Sequence, residues 1–583
     1  MLRGALILFL ILPFSAPSLT QPRSVRPAQF SGNTIFTAAE LREAIVPLPA
    51  SGVSDQRMLT DLDALRRKYL LEGYYFVSIV LDSLSWSADS TEITPYYSIN
   101  EGGKLLLGEI HIEGNSAIAA DVLLKSMETR AGSILDEAIV ERDLNGIVSM
   151  YERIGYPFAN ATVRNIRVLP GDSSSLALDV RVDEGLRVAL HEIRVEGNTE
   201  TSDHVIIRET RLRENELFDG DKVAKIRPRL NRLNIFSSVS EPQVFVNDAG
   251  GGLLLEVKEG PTNSFDGILG YLPARPGESG GTISGMVNIG MRNLFGTARR
   301  LQVRWQRDDS YSQEVFVQYT EPWLFELPVN LSGGFFQRQQ DSSYVRRMVD
   351  LRAEVPFIDE FSVAGTLHIE DIIPSGSLSV APVGQSKKLL AGLELLYDTR
   401  DDPVSPQSGV RYRAIYENGS KRITSPAGAS SGIPERSTVQ KIGIDAEFYI
   451  EALTRQIVRL AVFGRQITTD NLETADYYQF GGATTLRGYR EHQFQGSAVA
   501  WTNAEYRFHL ARRSFVYGFF DTGFYFIPPD DDAGVPSAQD FLFGYGIGLR
   551  VETVLGNIGV SIALGKGDAP GQAKLHFVLL NDF

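Results

Sequence analysis

The chain of 583 residues contains no cysteine. That excludes disulfides, cysteine-ligated zinc, thiolate nucleophiles and a lipid-bearing cysteine. It also lacks a positive surplus: 57 Lys and Arg face 72 Asp and Glu, a formal net charge of −15. Nucleic-acid binding needs a basic surface, so no nucleic-acid partner is expected. No run approaches 18 apolar residues, so no transmembrane helix is expected, and membrane residence would have to use strands. With 22% charged and 43% hydrophobic residues, wholesale disorder is excluded as well. Mean hydropathy is −0.10, a soluble-looking value that a transmembrane β-barrel also gives, because its strands alternate polar and apolar residues. What the chain has in quantity is glycine (54), phenylalanine (31) and tyrosine (22).

Residues 1–20 carry one early cation, Arg3, then the apolar run Ala5–Phe14 and the small residues Ser15, Ala16 and Ser18. This is the pattern of a secretory signal peptide, too short to cross a bilayer.

The first half repeats. Gly-Asn pairs fall at Gly32-Asn33, Gly114-Asn115 and Gly197-Asn198, spaced 82 and 83 residues apart. The second and third follow matching alternating segments, Gly108–Glu113 and His191–Glu196, and each unit ends on Glu-Gly (Glu101-Gly102, Glu184-Gly185, Glu259-Gly260). Between these marks lies a helical stripe: Met58, Leu62, Leu65 and Tyr69, then Val140, Leu144, Ile147 and Tyr151, then Val223, Ile226, Leu230 and Leu233, where Pro228 bends or shortens the helix. Gly73, Gly155 and, more weakly, Asn234 supply the stop signals. Each unit reads β-α-α-β-β. The three units, at 25–103, 104–186 and 187–260, resemble POTRA domains, the periplasmic modules of the Omp85 superfamily.

From 261 to 583 the helical period disappears. Leu301, Val303 and Trp305 alternate with Gln302, Arg304 and Gln306; Val315, Val317 and Tyr319 with Phe316, Gln318 and Thr320; Val458, Leu460 and Val462 with Ile457, Arg459 and Ala461. The segment is long enough for an all-β, 16-stranded antiparallel transmembrane barrel, although alternation alone also suits a sandwich or propeller. Leu575, Phe577, Leu579 and the terminal Phe583 share one face of a final strand, out of register only at Asn581.

Four stretches in order resemble Omp85-type barrels. They are Tyr397-Asp398-Thr399-Arg400-Asp401-Asp402-Pro403 with Pro406 and Gly409 (D-x-R-D-x-P-x-x-P-x-x-G); Arg487-Gly488-Tyr489 within 481–491 (R-G-[FY]); Phe519, Asp521 and Gly523 (F-x-D-x-G); and the glycine-rich 544–551. A terminal Phe583 after Phe577 is similar to the family's sorting signal. The resemblance covers nearly the whole chain after residue 20, and three repeats look closest to the TamA-like branch among TamA/BamA-like factors. It implies an outer-membrane barrel with periplasmic N-terminal domains and no enzymatic activity or cofactor. The expected function is to receive unfolded outer-membrane proteins and insert them through a lateral seam between the first strand, near Ser264–Tyr271, and the last, Lys574–Phe583. Outer-membrane lipids, and an inner-membrane or lipoprotein partner, are the further partners it implies. Carried over residue by residue, Arg487 sits on a loop folded into the lumen, with Asp521 and Glu505 as its inner-wall partners. A two-partner-secretion transporter of the same superfamily and an envelope-spanning scaffold are the alternatives.

Enzyme signatures fail on context. Gly277–Gly281 fits G-x-S-x-G but follows Pro273 and Pro276 and precedes a β-like run, not a helix. Seven histidines (111, 191, 204, 368, 492, 509 and 576) show no ligand spacing, and Gly559–Lys566 is no P-loop. Asp530–Asp532 reads as the tip of an extracellular loop, a calcium site being the weaker alternative. No metal is expected.

Overall fold

In the computed structural model, which describes residues 24–580 apart from 46–54, 89–91, 170–171, 249, 273–281, 308–311, 341–342, 376–382, 426–435, 530–535 and 554–555, each repeat opens on the same turn. Gly32, Gly114 and Gly197 hold φ of 79°, 85° and 89°. A Cβ on any of them would stand 2.0–2.1 Å from the carbonyl oxygen of Ile99, Val182 or Val257. The asparagine after each glycine turns its Nδ2 onto the carbonyl three residues on: Asn33 to Phe36, Asn115 to Ile118, Asn198 to Thr201, at 2.8–2.9 Å. Residues 1–20, where a signal peptide is expected, and the Gly277–Gly281 and Asp530–Asp532 motifs lie outside the described residues.

The Glu-Gly step ending each repeat closes back on that turn. Glu101 accepts from the amides of Thr34 (2.7 Å) and Ile35 (3.0 Å) and from the Tyr69 hydroxyl (2.9 Å). Glu184 accepts from the amides of Ser116 and Ala117. Glu259 accepts from the amides of Thr199 (3.0 Å) and Thr201 (2.7 Å) and from the Thr199 hydroxyl (2.7 Å). Burial pushes the Glu259 carboxyl up, but the Thr199 and Thr201 donors outweigh it and hold the group at about 2. Glu101 and Glu184 are lowered by the same balance.

The chain divides into two compact units: the chain to His191 with Glu214–Asp221 and Val246–Gly252, and the remainder. In the first unit, helices Asp55–Leu71 and Glu137–Glu152 bury the expected stripes, with Leu65, Tyr69, Ile147 and Tyr151 fully enclosed; the side chain of Met58 lies outside the described residues. The sheet of the second repeat pairs Leu106–Glu113 parallel to Asp172–Asp183, which runs antiparallel to Asn160–Leu169. Gly73 and Gly155 end the long helices at φ of 89° and 103°.

In the second unit, the third stripe is split into Gly220–Ala224 and Ile226–Arg232. Pro228 has no N–H to give the carbonyl of Ala224, where the first piece stops. Asn234 then takes the left-handed turn, at φ 55°.

After the third repeat and its own sheet, the described residues of this unit form one antiparallel meander of sixteen strands, from Asn263–Leu272 to Lys574–Leu580. Among the described residues one connection carries paired structure of its own, the short hairpin Tyr478–Phe480 with Phe494–Gly496 between strands Gln456–Thr469 and Ala498–Ala511. The two faces differ completely. On Gln385–Asp398, Leu389, Leu393 and Leu395 are 43–63% exposed, while Lys388, Leu390 and Glu394 are at most 3% exposed. Val458, Leu460 and Val462 continue the exposed face, with Ile457 and Ala461 buried opposite, and Tyr416, Phe448, Phe520, Ile547 and Phe577 extend it across the sheet. A soluble sandwich would bury such a belt. Leucines outside and paired charges inside describe a barrel whose solvent on the outer face is lipid. Among the described residues no ladder joins the first strand to the last, and 581–583 lie outside them, Phe583 included.

Candidate functional site

The connection 470–497 leaves the barrel end away from the third repeat and folds into the lumen. Its first anchor is Asp476, buried between two lysines: Lys388 Nζ at 2.5 Å and Lys421 Nζ at 2.7 Å, with Lys388 also on Glu370 (3.0 Å) and Lys421 on Glu473 (2.6 Å). Both lysines are at most 1% exposed. Buried ammonium groups need such carboxylates around them, since unpaired burial of a charge is prohibitive. Sequence reasoning missed this cluster. Its only signal was parity, which puts Lys388 on the face of Leu390 and Glu394.

The second anchor is Arg487. Its Nε and Nη2 donate to the two oxygens of Asp521, both at 2.7 Å, and its backbone N–H adds a third bond at 3.1 Å. Nη1 donates to Glu505 at 2.9 Å, and the guanidinium lies 3.7 Å from the Phe519 ring centroid. This bidentate fork over an aromatic face is a geometry lysine does not offer. The structure thus brings together Arg487, Asp521 and Glu505, the grouping that the family resemblance implied. Glu505 is shared: it also accepts from Arg507 (2.7 Å) and lies 3.5 Å from Arg459.

Glycines carve the seat. Along Ala538–Thr553, a Cβ at Gly544 would fall 1.9 Å from the carbonyl oxygen of Arg487, while Gly546 and Gly548 leave room for the Phe519 and Tyr517 rings. Gly488, at φ 93°, lies against the backbone of Leu564 and Gly565. Its amide donates to His576 Nε2 at 3.0 Å, so that nitrogen carries the lone pair and the ring proton sits on Nδ1. His576 belongs to the last strand. Tyr489 donates to the Phe543 carbonyl and accepts from the Lys566 amide, both at 2.9 Å. Phe480, Leu486, Tyr489, Val499 and Leu542 form the apolar filling around the loop.

The D-x-R-D-x-P segment is a turn closed by its own side chains, at the barrel end nearer the third repeat. Arg400 grips Asp398 bidentately (2.8 and 2.9 Å) and donates to the Pro403 carbonyl; Asp401 accepts from the amides of Gln407 and Ser408. Phe577 points away from the lumen, 67% exposed. The arrangement clamps a loop.

The third repeat is joined to this end of the barrel by charge. Arg229 Nε and Nη2 grip Asp359 at 2.7 and 3.0 Å, Arg211 stands 3.5 Å away, and Trp323 Nε1 donates to Glu209 at 2.7 Å.

Comparison with known proteins agrees with this architecture. The family model described as the Omp85 superfamily domain matches residues 293–583, and the POTRA model, described as the surface antigen variable number repeat, matches 106–185 and 188–260. The outer membrane protein assembly factor BamA of Neorickettsia risticii (strain Illinois) is 26% identical over 333 residues, 55% of this chain and 43% of that protein. The BamA of Nitratidesulfovibrio vulgaris is 20% identical over 484 residues, 78% of this chain and 58% of that protein. The chain therefore spans roughly two to three fifths of the curated relatives it matches. CdiB from Escherichia coli superposes with a TM-score of 0.51 at 14% identity, covering 92% of this chain and 97% of that one. BamA from Haemophilus ducreyi lacking POTRA domains 1–3 superposes with a TM-score of 0.50 at 16% identity, covering 81% and 98%. The chain belongs to the Omp85 superfamily, as an outer-membrane barrel that carries POTRA repeats on its periplasmic side.

Proposed function

We propose that this chain is a non-enzymatic assembly factor that receives unfolded outer-membrane proteins on its periplasmic repeats and inserts them at the barrel seam. The observation carrying this reading is the seating of the Arg487 loop. It bridges the inner wall at Glu505 and Asp521 to the last strand at His576, so the lumen loop and the seam side of the barrel form one bonded assembly. A client strand pairing with an exposed sheet edge keeps its backbone groups satisfied on entering lipid. Unpaired insertion would cost several kcal/mol per group, on the order of the figures for buried polar groups. In this reading Arg487, Gly488 and Tyr489 hold the loop, Asp521 and Glu505 receive it, and the Asp398–Pro403 turn stiffens the periplasmic rim. Phe577 and Phe583 mark the strand that closes the barrel.

The transporter alternative draws on the likeness to CdiB, which shows shared fold alone. Depletion separates the readings. Loss of several unrelated barrel proteins from the outer membrane supports assembly; loss of one secreted protein supports transport; unchanged profiles of both leave a scaffold. A narrow set of lost barrels favours the TamA-like branch, and general loss favours a principal assembly factor. An Arg487→Ala variant that folds and restores full assembly removes the loop arginine from the mechanism.

A further inference from the structure

Beneath the tip of the loop lies a lumen cavity of about 260 Å³, bounded on the periplasmic side by Pro403, Val404 and Pro406. Five guanidinium groups line it: Arg400, Arg459, Arg487, Arg507 and Arg550. Four of them hold carboxylates. Arg400 grips Asp398, Arg459 holds Glu447 at 3.0 Å, Arg487 holds Asp521, and Arg507 holds Glu505. Arg550 differs from the rest. Among the described residues no carboxylate lies within 4.0 Å of it, and its buried Nε has no hydrogen-bond partner. Its guanidinium rests 5.1 Å from the Phe515 ring centroid, next to Arg507 at 4.7 Å from the same ring. The two acids lining the cavity already carry other partners: Glu505 accepts from Arg487 and Arg507, and Glu447 from Arg459 and Tyr449.

We infer that this cavity is an oxyanion site, in which Arg550 binds a carboxylate or phosphate group. Its wall chemistry suits that ligand. The cations are held in place by aromatic rings and carboxylates, so little side-chain freedom is lost on binding. The surplus guanidinium presents N–H donors in the fork that matches a carboxylate or phosphate edge. A cavity of this size also has room for waters to complete the anion's hydrogen bonds. A merely structural cation–π role for Arg550 would not produce saturable anion binding. The inference is independent of the assembly reading, since it concerns what the lumen binds and not what the barrel inserts.

The test uses the full-length protein in detergent micelles, titrated with inorganic phosphate or with acetate at constant ionic strength, by calorimetry and by the unfolding midpoint. The expected result is saturable one-site binding that weakens at least tenfold in Arg550→Gln and less, by severalfold, in Arg550→Lys, which keeps the charge but not the fork. Folding of both variants is checked by heat-modifiable gel mobility. Binding of either anion through Arg550 supports the site, and the ratio of the two affinities tells carboxylate from phosphate recognition. Absence of saturable binding in the wild type, or equal affinities in wild type and Arg550→Gln, overturns it. Should Arg550→Gln fail to fold, Phe515→Leu, which removes the ring under the guanidinium, is expected to weaken binding severalfold, and an unchanged affinity there overturns it equally.

Discussion

Replacing Arg487 by alanine removes its three side-chain hydrogen bonds and leaves Asp521 only the backbone N–H at 487. The consequence differs between the two carboxylates it leaves. Asp521 is fully buried, and its three donors all belong to Arg487. Glu505 keeps Arg507 and Arg459. The cost is therefore dominated by one stranded charge, about 3–5 kcal/mol for a broken buried pair. Asp521→Asn is milder, about 1–2 kcal/mol, since its amide oxygen still accepts and Arg487 retains Glu505. In the double variant Arg487→Ala/Asp521→Asn the stranded charge is gone, so it is expected to be about 1–3 kcal/mol more stable than Arg487→Ala alone. Guanidinium unfolding of the four proteins in micelles, followed by tryptophan fluorescence and extrapolated linearly, measures the cycle. Strict additivity, or an Arg487→Ala loss under about 1 kcal/mol, refutes the reasoning.

Three further outcomes follow from the geometry. Gly544→Ala places a Cβ where the Arg487 carbonyl now sits 1.9 Å away; it is expected to cost about 1–3 kcal/mol and to unseat the loop, seen as new protease cleavage between 481 and 491. Because the folded-state Glu259 is held at about 2, below the ordinary carboxylate value, its contribution is fully present above pH ~4.5 and is lost as pH falls from there toward 2. Amide exchange at Thr199 and Thr201, corrected for intrinsic rate, should accelerate over that window in the wild type and lose this pH dependence in Glu259→Gln. Arg229→Ala leaves Asp359 with the more distant Arg211 (3.5 Å) and is expected to cost about 1–3 kcal/mol; slower heat inactivation than wild type would contradict it.

Much of this fold was legible because it is written in local chemistry. A Gly-Asn pair specifies a left-handed residue followed by a side-chain-closed turn, and three such pairs at one spacing mark three copies. The Glu-Gly steps were equally visible as landmarks, yet their work was not. Glu101 reaches an amide 67 residues away, and no local rule pairs residues at that distance. Strand alternation separated lipid from lumen correctly at Val458–Val462, but it cannot tell which inward residues meet. That is why Lys388, Lys421 and Asp476 went unread: they come together only once a loop folds across strands. His576 was overlooked for a different reason. Histidines were weighed by ligand spacing, whereas this one acts singly, and the signal available was its parity opposite Leu575 and Phe577. Arg550 shared the parity of Gly544, Gly546 and Gly548, so its inward direction was readable while its lack of a partner was not.

These contacts also rank what would move first if the seam opens as proposed. The loop is tied to Ala498–Ala511 and Ser514–Ile527 through Arg487, a fork whose rupture costs about 3–5 kcal/mol. It is tied to the last strand through one backbone N–H on His576, a neutral bond worth about 1 kcal/mol. Those magnitudes differ by enough to decide the order. The last strand can part from the loop at little cost, while the loop stays on the wall that Asp521 and Glu505 provide. Seam opening therefore does not require the loop to leave the lumen, and His576→Ala should ease opening without loosening Arg487. A cysteine cross-link between loop and wall, Thr485→Cys with Asn503→Cys, should then leave assembly intact; if it blocks assembly, the loop moves with the seam and this ranking is wrong.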